Sequence, residues 1–70
     1  MRRVNVISSS LVSAGYDAAQ RALEVEFAGG AVYRYLGVPP EVWNDFLAAT
    51  SKGTFVNVEV KPNYRYRKVT

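Results

Sequence analysis

Seventy residues with no cysteine and no histidine, nine Lys and Arg against six Asp and Glu, and a formal charge of +3 make one small basic domain. Such a chain has no disulfide to staple it, lacks the usual ligands for zinc and transition metals, and lacks most of the side chains that do nucleophilic or acid–base work near neutral pH. With 49% hydrophobic residues it lies far from the composition of disordered chains, so its core must hold by packing alone.

The opening Met1-Arg2-Arg3, followed by Val4-Asn5-Val6-Ile7, imitates a secretory signal with Ser13-Ala14-Gly15 as a cleavage site. Asn5 and the run of serines at 8–10 interrupt the apolar stretch, and cleavage would remove a first strand from a chain with little to spare. No run approaches the length that spans a membrane, so the expected location is the cytoplasm.

Ser10 to Tyr16 reads as a strand, and Asp17 to Gln20 as the turn after it. Arg21 to Phe27 alternates cleanly, placing Leu23, Val25 and Phe27 on one face and Glu24 and Glu26 on the other. Ala28-Gly29-Gly30 supplies the turn of a hairpin whose second strand is Ala31 to Leu36. Two registers are open. A two-residue turn sets Glu26 opposite Tyr33 and turns both Tyr33 and Tyr35 outward; a three-residue loop sets Val25 opposite Tyr33, turns both rings inward and projects Arg34 to solvent.

Gly37-Val38-Pro39-Pro40 ends the sheet, and Pro40 with Glu41 suits the first turn of a helix. Val42, Trp43, Phe46, Leu47 and Ala49 recur at helical spacing as an apolar stripe that covers the sheet. Residues 54–61 alternate like a strand, yet Ser51 is placed to cap a second helix in which Phe55 and Val60 face the core. Pro62 ends either element, and residues 64–69 follow as an extended tail or a short, charge-protected edge strand.

Chemistry concentrates in two copies of one triplet, Tyr33-Arg34-Tyr35 and Tyr64-Arg65-Tyr66, and in the basic tail. Aromatic faces beside cations suit single-stranded nucleic acid, where bases stack on rings and cations meet phosphates. The candidate nucleic-acid-binding residues are therefore Tyr33, Arg34, Tyr35, Lys61, Arg65, Arg67 and Lys68. The acids are scattered, apart from Glu24 and Glu26 on one strand face, so no catalytic residue is expected and the domain reads as non-enzymatic. Ala28-Gly29-Gly30-Ala31 lies between strands rather than before a helix and is no phosphate loop, so no cofactor and no metal is expected.

Taken in order, Tyr16-Asp17, Leu23-x-Val25-x-Phe27, Tyr33-x-Tyr35 with Gly37-Val38-Pro39, Ser51-x-Gly53, Phe55-x-Asn57, Val60-Lys61 and Tyr64 form a pattern across nearly the whole chain. That pattern resembles the KTSC domain, a small module at the carboxyl terminus of some lysyl-tRNA synthetases and in stand-alone bacterial proteins. The resemblance makes Tyr33 and Tyr35 signature residues and favours a second helix over residues 53–60. It implies no established function, with RNA binding suggested by attachment to a synthetase. The resulting expectation is an α+β domain over residues 1–70, with 1–9 and 62–70 as extended ends. Its fold would be a three-stranded antiparallel β-meander followed by one or two short helices on one face. The expected partner is RNA; the alternative is a protein-interaction or self-assembly module with no nucleic-acid role.

Overall fold

Alternation of apolar and acidic residues makes β3 (Ala22–Phe27) the central strand of an antiparallel sheet in the computed structural model, which describes residues 3–70. Before it come β1 (Arg3–Asn5) and β2 (Leu11–Asp17), and after it β4 (Val32–Tyr35). Two helical stretches follow, and β5 (Tyr66–Lys68) returns to the sheet beside β4. The sheet therefore has five strands in the order β1-β2-β3-β4-β5, where the sequence predicts three. The α+β class and the meander hold; the count changes because β1 and β5 are three residues each, too short to display a period, and are set by pairing with longer neighbours.

The β2–β3 turn uses Asp17 as expected: its Oδ1 accepts the backbone N–H of Gln20 at 3.1 Å, and Arg21 closes the turn with φ of 51°. In the β3–β4 hairpin, Phe27 N–H donates to Ala31 O at 2.8 Å and Val25 pairs with Tyr33. That is the register of the three-residue loop, with Gly29 and Gly30 at φ of 99° and 98°. Strand alternation then puts Val25, Tyr33 and Tyr35 on one face of the sheet and Glu24, Arg34 and Arg67 on the other.

Helix α1 (Pro40–Ala48) starts at its proline and carries Glu41 in the first turn. Phe46 is fully buried at the centre of a ladder of rings, with Trp43 stacked on it at 5.5 Å, Tyr16 stacked on Trp43 at 5.9 Å, and Phe55 edge-on to it at 6.0 Å. Leu47, expected on the covering stripe, is exposed instead. Ser51 Oγ accepts the Thr54 N–H and caps α2 (Lys52–Phe55), which runs directly into a π-helical segment, Val56–Val60. The strand reading of residues 54–61 is thus overturned. Val56 and Val60 are four apart and both fully buried, while Val58 between them faces solvent, so burial follows the helical spacing. Lys61 N–H reaches back five residues to Val56 O at 2.9 Å, which is the wider π turn.

Gly53 brings this helix against the β1–β2 loop: a Cβ there would lie 2.5 Å from Ser10 Oγ. The core joins Ala14, Leu23, Val25 and Tyr35 of the sheet to Val38, Phe46, Val56 and Val60. Among the described residues no helix is long and apolar enough to cross a membrane.

Candidate nucleic-acid interface

The first tyrosine triplet meets the last residue of the second, and the basic pair after it, at the β4–β5 ladder. Tyr33 pairs with Lys68, Arg34 with Arg67 and Tyr35 with Tyr66, so alternation sorts the seven candidate residues onto different surfaces.

On the face away from the helices, Arg34 is fully engaged. It donates to Glu24 Oε2 at 3.1 Å and Gln20 Oε1 at 2.9 Å, and pairs with Asp17 at 3.4 Å. Arg3 bonds Glu24 from the other side; between them β2 contributes Gly15, which carries no side chain, so the guanidinium crosses that strand. The hydrogen bond from Arg3 holds the Glu24 carboxyl below its usual range, against the pull of partial burial and with help from Arg34. This network also offsets the like charges of Arg34 and Arg67, which lie directly opposite one another.

On the helix face the rings form a cluster. Tyr66 meets Tyr33 edge-on at 5.3 Å and Tyr35 at 5.9 Å, and Tyr33 meets Phe27 at 5.6 Å. Lys61, at the end of the π-helical segment, holds its Nζ 4.9 Å from the Phe27 ring centroid. Tyr33, Tyr35, Lys61 and Tyr66 wall a pocket of about 250 Å³ where the helical layer stops. A shallower cleft lined by residues 62–66, Arg65 among them, shares Tyr66 with it. Tyr35 is 2% exposed and belongs to the core, whereas Tyr66 is 62% exposed. Burial, and the phenols of Tyr33 and Tyr66 beside it, push the Tyr35 hydroxyl above its ordinary pKa. Lys61, Arg65, Arg67 and Lys68 are exposed and make no ion pair among the described residues.

The KTSC domain profile matches residues 7–64. The chain belongs to the KTSC family. A protein from Tsukamurella paurometabola is 55% identical over 60 residues, covering 86% of this chain and 90% of its own. An uncharacterised protein from Stutzerimonas stutzeri is 53% identical over 70 residues, 99% of either chain. A lysine–tRNA ligase from Nostoc punctiforme matches at 34% over 55 residues, 79% of this chain but 10% of the ligase. The crystal structure of a KTSC domain protein from Yersinia pestis superposes with a TM-score of 0.92 at 40% identity, covering 99% and 97% of the two chains.

Of the candidate residues, the KTSC fold brings Tyr33, Tyr35, Lys61 and Lys68 to the helix face of the sheet, with Arg65 in the adjoining cleft. It carries Arg34 and Arg67 to the opposite face. Sequence reasoning did not place Tyr66 or Phe27 in the cluster. Tyr66 enters the cluster because the last residue of the second triplet pairs with the last of the first, a register that the repeat itself does not announce.

Proposed function

We propose that this KTSC domain is a non-enzymatic, cytoplasmic RNA-binding module that holds single-stranded RNA along the β5 edge. The observation that carries this reading is the exposed Tyr66 ring, with Lys61 in the same pocket and Arg65, Arg67 and Lys68 beside it along the chain, four cations that have no acidic partner among the described residues. A base stacked on Tyr66 contributes about 1–3 kcal/mol, and the flanking cations follow the phosphates. Tyr33 supports the Tyr66 ring from the side, and Tyr35 anchors the strand in the core. One relative is named a lysine–tRNA ligase, so a copy of the domain travels with a protein whose substrate is a tRNA.

The test is the salt dependence of single-stranded RNA binding followed by fluorescence anisotropy. Four phosphate contacts give a slope of log K against log salt of about −3. A flat salt response, or binding untouched by Tyr66→Ala, removes the reading. The second reading, protein contact or self-association without nucleic acid, draws on Val4, Ile7 and Val12, which are exposed on the β1–β2 hairpin. A flat response combined with concentration-dependent dimers in sedimentation would favour it.

A further inference from the structure

Tyrosine hydroxyls in this fold have two different fates. The Tyr16 hydroxyl donates to Val38 O at 2.6 Å. The hydroxyls of Tyr33, Tyr35 and Tyr66 have no hydrogen-bond partner among the described residues. For an exposed phenol this is ordinary, because water serves it. For Tyr35, with all but 2% of its surface buried, it means that the ring is packed in the core while the oxygen keeps its contact with solvent through the pocket it lines.

The pocket's polar groups are therefore three phenols and one ammonium, the latter a donor only, and no carboxylate lines it. The acids of β3, Glu24 and Glu26, lie on the other face of the sheet. A phenol is protonated at neutral pH, so the Tyr35 hydroxyl is able to donate there. A site of about 250 Å³ walled by three tyrosines and one lysine, with a net positive charge, favours a compact anion over a cation or a neutral hydrocarbon.

We propose that this pocket is an oxyanion subsite that receives one phosphate group, held by the Tyr35 hydroxyl and Lys61 Nζ with Tyr33 and Tyr66 beside them. The proposal rests on the RNA reading only for the source of the phosphate: in the RNA complex a backbone phosphate occupies the pocket while the adjoining base stacks on Tyr66. Free phosphate is the other source of the same chemistry.

The test uses the full chain and two conservative variants. Tyr35→Phe keeps the ring and deletes the hydroxyl; Lys61→Met keeps a stem over Phe27 and deletes the charge. Amide spectra are recorded while inorganic phosphate, uridine 5′-monophosphate or uridine is added at constant ionic strength. Phosphate and the monophosphate are expected to shift the amides of Tyr33, Tyr35 and Lys61, and uridine to leave those three in place. Each variant is expected to weaken phosphate binding about tenfold, as loss of one hydrogen bond to a charged group does. Equal shifts from chloride, shifts of those three from uridine alone, or wild-type phosphate affinity in Tyr35→Phe would overturn the subsite. RNA binding that survives both variants unchanged would overturn it too, while leaving the RNA reading intact. Phosphate binding without RNA binding would support the subsite, with free phosphate as its source, and remove the RNA reading.

Discussion

Tyr35 lies directly opposite Tyr66 across the β4–β5 ladder, their ring centroids 5.9 Å apart. One ring closes the core and the other stands at the surface, so the pair carries the hydrophobic interior outward to the edge of the sheet. The last tyrosine of the second triplet is thus the cross-strand partner of the last tyrosine of the first.

The different fates of the tyrosine hydroxyls give a stability test. Tyr16→Phe deletes the bond to Val38 O and is expected to cost about 1–2 kcal/mol. Tyr35→Phe deletes a hydroxyl with no protein partner and is expected to change stability by less than about 0.5 kcal/mol. Urea denaturation of the two variants checks the contrast; a larger loss in Tyr35→Phe would mean that its oxygen has a partner in solution.

Much of this architecture was legible in the residues. The β3 alternation, the hairpin glycines, the proline that opens α1 and the serine that caps α2 act through local geometry, and local geometry is written in sequence. The inward turn of Tyr33 and Tyr35 was not, because it depends on a one-residue difference in loop length that Ala28-Gly29-Gly30 permits either way. Residues 54–61 misled for a related reason. Valines at 56, 58 and 60 satisfy a period of two, but the i, i+4 pair also satisfies a helix, and packing against the sheet chose the helix. For the candidate site, the tyrosines and cations were visible but not their sorting. The engagement of Arg34 by Asp17, Gln20 and Glu24 joins three elements, and no spacing announces it.

Glu24 makes stability depend on pH. Its folded-state pKa is depressed, so the stabilisation is fully present above its unfolded value of about 4.3 and is lost as pH falls through the lower folded value. Thermal stability is expected to fall as pH drops below about 4.3, and Glu24→Gln to flatten that dependence. An unchanged profile in the variant would assign the acid sensitivity to other carboxylates.

Phe46 has no exposed surface and touches Trp43 and Phe55. Phe46→Ala is expected to cost about 3–5 kcal/mol, against a total of roughly 4–10 kcal/mol for a chain of this length. Circular dichroism at 37 °C should show a substantially unfolded population.

Arg34 and Lys68 separate structure from binding. Arg34→Met is expected to lower stability by about 1–2 kcal/mol through the lost network, with little effect on the salt slope of RNA binding. Lys68→Gln should leave stability within about 0.5 kcal/mol and reduce that slope by about 0.7, the share of one phosphate contact on a single strand. Anisotropy titrations at several salt concentrations, paired with urea melts, distinguish the two.

The most direct test of RNA recognition is an amide spectrum of labelled protein titrated with bulk tRNA at low and then physiological salt. The account predicts shifts confined to Tyr33–Tyr35, Lys61 and the 64–68 segment, reversed as salt rises. Shifts centred instead on the β1–β2 hairpin, or none at low salt, would contradict it.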